Sequence, residues 1–307
     1  MTVAIVGPTA SGKSSVAMAV AAERDDVELV SVDSMQVYRG MDIGTAKPTA
    51  DERARVRHHL LDLVEPSDAF SVADFQRAHR STMAGIAERG HRPLLVGGTG
   101  LYHRAVIDDL DLPGEWPAIR SRLQAELAEV GAPALHTRLA EVDPAAAEKM
   151  EPTNDRRIVR ALEVCEGSGR PFSSFGPGLD AYPPSSVVQI GLRWDRALLA
   201  ERIERRVHDM TAAGLVAEVA AIRSSVGFSR TAAQALGYKE VIEHLDGGCT
   251  LDEAVDAIVV RTRQFAVRQE RWFRRDPRVE WVDVAGDPVS AAAPVVLAAL
   301  DADASSS

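Results

Sequence analysis

Eight residues near the amino end, Gly7-Pro8-Thr9-Ala10-Ser11-Gly12-Lys13-Ser14, carry the spacing G-x-x-x-x-G-K-[ST]. Glycines let backbone N–H groups wrap an anion without Cβ clashes. A helix that follows would point its positive end at that anion, and Lys13 adds a full charge. Ser14 supplies a hydroxyl for Mg²⁺. The pattern predicts a diphosphate site over Gly7 to Ser14 and leaves open which diphosphate. A second chemically competent residue, Asp33, follows the run Leu29-Val30-Ser31-Val32. A carboxylate at the carboxyl end of a strand beside a P-loop faces the ligand crevice. There it could hold Mg²⁺ or act as a general base toward an incoming nucleophile, and residue type alone leaves both readings open.

These residues need elements to position them. Val3 to Val6 reads as a buried strand, Lys13 to Glu23 as a helix and Val27 to Val32 as a second strand. Glu52 to Arg57 reads as helical and His58 to Val64 as a third strand. Ser71 can cap a helix running through Ala87, and Arg92 to Val96 reads as a further strand ended by Gly97-Gly98. Strands alternating with helices predict an α/β fold, a P-loop NTPase-like parallel sheet flanked by helices. From about Pro113 to Arg170 the pattern turns to Ala-, Leu- and Arg-rich helical periodicity, the mark of an inserted all-helical domain, and Phe172 to Pro184 reads as a linker. Val187 to Leu192 then rejoins the sheet. Helices over Arg196 to Ala213, Val216 to Ser225 and Leu251 to Arg274 follow, with a last strand at Val279 to Val284. The expected organisation is a core first part over 1–112, a helical insertion over 113–185, a core second part over 186–300 and a disordered tail over 301–307.

A chain of 307 residues, 46% hydrophobic and 26% charged, can bury a full core and a smaller lobe. No run of about 18 apolar residues suggests a membrane span, and no export signal opens the sequence, so a cytoplasmic protein is expected. Cys165 and Cys249 lack metal or redox spacing. His58 and His59 have no companions at zinc-ligand spacing and read as structural. Tyr38 and Tyr102 could stack on a base or simply be buried. The net charge of −10 argues against indiscriminate coating of nucleic acid. Arginines nonetheless cluster at 156–170, 202–206 and 261–278, so a polyanion would dock locally. On the last long helix Arg261, Arg268, Arg271 and Arg275 recur at spacings that share one face, with Trp272 and Phe273 between them. Such a stripe faces either water or phosphates.

The runs at 7–14, 32–48 (Val-Asp-Ser-Met-Gln-Val-Tyr-Arg-Gly-Met-Asp-Ile-Gly-Thr-Ala-Lys-Pro) and 58–62 (His-His-Leu-Leu-Asp) closely resemble the tRNA dimethylallyltransferases. The likeness continues through Val-Gly-Gly-Thr-Gly-Leu-Tyr (96–102), Asn-Asp-Arg-Arg-Ile-Val-Arg-Ala-Leu-Glu-Val (154–164), Ala-Leu-Gly-Tyr-Lys-Glu (235–240) and Thr-Arg-Gln-Phe-Ala-Val-Arg-Gln-Glu-Arg-Trp-Phe-Arg (262–274), in the family's order. No run in the sequence corresponds to the zinc-finger extension of eukaryotic relatives, so the compact bacterial form is expected.

The resemblance implies transfer of a dimethylallyl group from its pyrophosphate, with Mg²⁺, to N6 of the adenosine 3′ of the anticodon in tRNAs reading codons that begin with U. Asp33 is then the base, with Lys13, Thr9 and Arg206 serving the leaving group. Asp33, Ser34, Met35, Gln36, Thr99 and Arg120 would handle the target base and its neighbours. Arg156, Arg157 and Arg160 would grip the loop, and Gly237, Tyr238, Lys239, Arg261, Gln264, Arg268 and Arg271 complete the implied tRNA contacts. The partners implied are a tRNA anticodon stem-loop and dimethylallyl pyrophosphate, with the enzyme a monomer away from membranes. Competing readings are an adenylate isopentenyltransferase acting on free nucleotide, a nucleotide kinase, and an RNA-binding NTPase switch.

Overall fold

A computed structural model of the chain describes residues 2–176 and 178–302. It opens with strand β1 (Thr2–Val6), helix α1 (Lys13–Glu23), β2 (Val27–Val32), α2 (Ala50–Arg55), β3 (His58–His59), α3 (Val72–Glu88), β4 (Arg92–Gly97) and α4 (Gly100–Ile107). Four helices follow: α5 (Pro117–Val130), α6 (Ala132–Val142), α7 (Pro144–Glu148) and α8 (Asp155–Ser168). The chain closes with β5 (Val187–Trp194), α9 (Arg196–Ala212), α10 (Leu215–Ser224), α11 (Tyr238–Leu245), α12 (Leu251–Phe273), β6 (Val279–Val284) and α13 (Pro288–Asp301). Two compact units result. One combines the chain up to Asp108 with the chain from Pro184 onward; the other is Asp109–Pro183, where composition had suggested 113–185.

The first unit is built on a six-stranded sheet in the order β3-β2-β4-β1-β5-β6, every pair parallel. This is the α/β, P-loop-like architecture expected from the alternation of strands and helices. Burial on both faces explains the near-continuous apolar strands. Side chains alternate across the sheet, so Ala4 and Val6 enter one core with Val30, Val32 and Leu95, while Val3 and Ile5 enter the other with Leu29, Leu94 and Ile190. Register pairs Val6 and Val32 each with Gly97. The segments that follow β1, β2 and β4 therefore leave the sheet at one edge, and they begin with Gly7, Asp33 and Gly98.

Several elements differ from the sequence reading for local reasons. The third strand stops after His59 because Leu60 and Asp62 adopt left-handed φ values of 61° and 55°. The chain turns there, and Leu63 N–H donates to Val37 O at 2.7 Å instead of extending the sheet. Helix α2 starts earlier than expected, at a capping box formed by Thr49 and Glu52. Ser71 caps α3 as predicted. Helices α4 and α11, eight residues each, are too short for periodicity to reveal. Of the tail expected at 301–307, Asp301 ends α13 and pairs with Arg24, Ala302 follows it, and 303–307 lie outside the described residues.

At the opposite edge of the sheet, near the start of β2, the buried Glu28 carboxylate takes Arg89 at 2.7 and 2.8 Å and also meets His59. The Arg89 hydrogen bond leads the influences that hold its pKa down to about 2, and burial opposes it. His59 thus has a structural partner. Tyr38 is fully buried, and Tyr102 packs on Phe75 with ring centroids 4.8 Å apart.

The second unit has its own core of Leu123, Leu135, Leu139, Ile158 and Leu162. At its centre buried Glu163 accepts from Arg120 at 2.8 and 3.1 Å and lies 2.9 Å from Arg160. Asp143 accepts from the Ser173 backbone N–H and hydroxyl, each at 2.7 Å.

Candidate active site

Backbone geometry shapes the first wall of the site. Gly7 (φ 137°) and Gly12 (φ 94°) hold the loop between β1 and α1 in conformations that side chains disfavour, and Ala10 also sits at positive φ (61°). The loop is braced from several directions. Lys13 Nζ donates to Gly7 O at 3.0 Å and Pro8 O at 2.6 Å. Arg202 Nε donates to Ala10 O at 3.0 Å, and its guanidinium stacks on Trp194, whose indole N–H donates to Ser11 O at 2.9 Å. The Thr9 amide donates to Gln269 Oε1 at 2.8 Å.

The loop after β2 forms the second wall. Asp33 Oδ1 accepts the N–H groups of Met35 (2.8 Å) and Gln36 (3.3 Å), closing a tight turn. Gln36 accepts from Ser31 Oγ at 2.7 Å and donates to the carbonyls of Thr45 and Ala46 at 3.2 Å. Ser34 N–H donates to Thr99 Oγ1 at 3.2 Å, which joins this loop to the start of α4. Behind it, Lys47 Nζ donates to Tyr38 O (2.7 Å), Asp42 Oδ1 (2.6 Å) and Asp62 Oδ1 (2.6 Å), while Arg53 holds Asp62 Oδ2 at 2.6 Å. Glu218 of α10 accepts the N–H groups of Asp42, Ile43 and Gly44 as well as the Tyr238 hydroxyl.

Between these walls lies a cavity of about 660 Å³. Thr9, Lys13, Ser14, Asp33, Ser34, Met35, Gln36, Thr99, Arg206, Gly237 and Arg268 all line it. Gly7, Pro8, Ala10, Ser11 and Gly12 stand behind its lining as loop backbone. Helix α9 presents Ile203, Arg206, Val207 and Met210 from one face, so a cation and an apolar strip share the cavity. Burial, then the neighbouring Arg206, pulls the Lys13 pKa down to about 7 against the opposing pull of Asp33. Burial also lowers the Arg206 pKa, again opposed by Asp33. Two cations short of counter-charge beside one carboxylate form a site prepared for an anion.

The structure corrects some sequence-based placements. Tyr238 is fully buried, with its hydroxyl on Glu218, so it supports the wall and offers nothing to a ligand, whereas Lys239 is exposed. Arg261 is committed to buried Glu240 at 2.5 Å because α11 packs against α12. Helix α12 ends at Phe273, so Arg275 falls outside the stripe. The exposed face that remains is Gln264, Arg268 and Arg271, with the Arg268 guanidinium 5.7 Å from the Phe265 ring. In the second unit Arg156 and Arg157 are exposed, while Arg120 and Arg160 serve Glu163. Sequence reasoning passed over Gln269, Lys47, Asp62 and Glu218. Gln269, Lys47 and Asp62 lie within the motif runs, Gln269 directly beside Arg268.

For Mg²⁺, Ser14 and Asp33 line the cavity beside Lys13. Among the described residues no group of three or more His, Cys, Asp or Glu could hold a metal. The donor set fits a Mg²⁺ that takes one or two protein ligands and completes its shell with diphosphate oxygens and water.

Residues 36–276 match the family model described as IPP transferase. The chain belongs to this family. A tRNA dimethylallyltransferase of Bifidobacterium animalis subsp. lactis is 51% identical over 284 residues, spanning 91% of this chain and 81% of that protein. One of Pseudarthrobacter chlorophenolicus is 50% identical over 282 residues, spanning 92% and 93%. The crystal structure of the full-length tRNA isopentenylpyrophosphate transferase from Bacillus halodurans is 41% identical, with a TM-score of 0.69, and the match covers 99% of this chain and 95% of that one. A eukaryotic dimethylallyltransferase acting on tRNA, 23% identical with a TM-score of 0.81, shares the fold over 99% of this chain and 79% of its own. The resemblance carried by the motif runs is therefore membership of the IPP transferases, and among the described residues no helix is long and apolar enough to cross a membrane.

Proposed function

We propose that this IPP transferase moves the dimethylallyl group of dimethylallyl pyrophosphate to N6 of the adenosine on the 3′ side of a tRNA anticodon, releasing diphosphate, in the cytosol. Dimethylallyl transfer to tRNA is the family's activity; the donor, the acceptor atom and the residue roles are inferred. The observation that carries them is the shared cavity of Lys13, Arg206 and Asp33 at the carboxyl edge of the sheet.

As the allylic C–O bond breaks, negative charge grows on the diphosphate and positive charge on the allyl carbon. Lys13, Arg206 and the loop amides would meet the negative charge. Mg²⁺, bound through the Ser14 hydroxyl, would neutralise further diphosphate charge. Ile203, Val207 and Met210 would cover the prenyl tail and exclude water that could capture the allyl cation. N6 of the flipped adenosine forms the new C–N bond, and Asp33 takes the proton it sheds. A carboxylate whose Oδ1 is fixed by the Met35 and Gln36 amides is held in place to do so. Single-stranded anticodon loops make base extrusion cheap, and the Gln264, Arg268 and Arg271 face supplies phosphate contacts.

The free-nucleotide alternative is tested by offering AMP and an anticodon stem-loop together with labelled donor and identifying the prenylated product. Label confined to the stem-loop adenosine is expected. Preferential labelling of AMP would assign the chain to the other activity.

A further inference from the structure

Gln269 is 7% exposed and faces inward on α12, next to Arg268 on the exposed face. Its carboxamide is used at both ends: Oε1 accepts the Thr9 N–H at 2.8 Å and Nε2 donates to Gly98 O at 2.9 Å. Room for it exists because residue 98 is glycine, since a Cβ there would lie 2.4 Å from Nε2. Lys13, Arg202 and Trp194 hold carbonyls of the diphosphate loop; among the described residues Gln269 is the side chain that holds one of the Gly7–Lys13 amides.

That amide belongs to the Pro8–Thr9 peptide unit, whose carbonyl accepts from Lys13 Nζ at 2.6 Å. In a trans peptide the N–H and C=O point in opposite directions. Gln269 and Lys13 thus hold the same plane from its two sides, and rotation of that plane would move the Lys13 anchor.

We propose that Gln269 is a positioning residue that fixes the Pro8–Thr9 peptide, and through it Lys13 and Thr9, against the end of β4. The inference rests on reading this loop as the donor-diphosphate site. It also joins the helix bearing the proposed RNA-facing residues to the loop that handles the donor.

The test is steady-state kinetics with each substrate varied, together with stem-loop Kd, for Gln269→Met, Gln269→Ala, Gly98→Ala, Gly98→Ala/Gln269→Ala and Lys13→Ala. Displacement of a catalytic group by a fraction of an ångström is costly, so kcat/KM for the donor should fall roughly tenfold or more in Gln269→Met. Stem-loop Kd should stay within about twofold, because the exposed face of α12 is untouched. Gly98→Ala, which displaces the carboxamide from the other side, should give the same split, and the double variant should be no worse than Gly98→Ala alone. Equal losses for both substrates, unchanged donor kcat/KM in Gln269→Met, or additive losses in the double variant would overturn the role. If Lys13→Ala also leaves donor kcat/KM intact, the donor-loop reading fails with it; if Lys13→Ala lowers it and Gln269→Met does not, only the positioning role fails.

Discussion

The Lys47 ammonium, shielded from solvent, lies 2.6 Å from Asp62 Oδ1 although fifteen residues separate the two. Burial works against ionisation of Asp62, yet hydrogen bonds from Lys47 and Arg53 outweigh it and hold the carboxyl below its usual range. The pair fixes the loop whose Thr45 and Ala46 carbonyls orient Gln36. Asp62→Asn should cost about 2 kcal/mol in urea denaturation, less than breaking a fully buried pair, because the Asp62 carboxylate is partly exposed and Asp42 still faces Lys47. Stem-loop affinity should fall with it.

Asp33→Ala should lower kcat by about 10²-fold or more, the usual contribution of a general base, with donor and stem-loop Kd little changed. Rapid-quench single turnovers measure the chemical step directly. A variant that binds poorly and reacts at the normal rate would remove Asp33 from the role of base.

Lys13, with its pKa drawn down to about 7, should make donor binding sensitive to pH. The protonated form binds diphosphate, so donor affinity should fall by up to about tenfold per unit from pH 7 to 9. Lys13→Arg, always charged, should bind less well and with a flatter profile. Unfolding is not the cause. Between about pH 7 and the usual lysine value near 10.5 the unfolded chain holds a proton that the folded chain lacks, so this group's contribution to stability rises with pH. A flat wild-type profile would contradict the account.

Arg268→Ala and Arg271→Ala should each weaken stem-loop binding and reduce the magnitude of its log–log salt slope by nearly one. Arg261→Ala should leave the slope unchanged and lower stability instead, because its guanidinium is bound to buried Glu240. Fluorescence titrations at several salt concentrations separate the two effects.

The geometry of the 7–14 loop was legible in sequence because its requirements are local: two glycines at positive φ, a lysine and a hydroxyl on the first turn of a helix. Asp33 was legible because strand alternation places the end of β2 at the same edge as the end of β1. What sequence did not reveal depends on partners far along the chain. Gln269 reaches Thr9 across 260 residues, and Glu218 gathers amides from the 42–44 segment on another element. Tyr238 and Arg261 carried the right residue types for RNA, but packing of α11 against α10 sets the Tyr238 hydroxyl on Glu218, and packing of α11 against α12 commits Arg261 to Glu240. The truncated third strand has a similar cause, since Leu60 and Asp62 turn the chain through left-handed φ values and Leu63 bonds to Val37, a partner outside the strand.

The most direct test of the central claim is the stoichiometry of one reaction: donor, Mg²⁺ and an anticodon stem-loop incubated with the protein, with diphosphate release and nucleoside masses measured together. One diphosphate for each N6-dimethylallyladenosine, with both products greatly reduced in Lys13→Ala, is the predicted result. Orthophosphate release from ATP by the same loop, with no prenylated nucleoside formed, would contradict it.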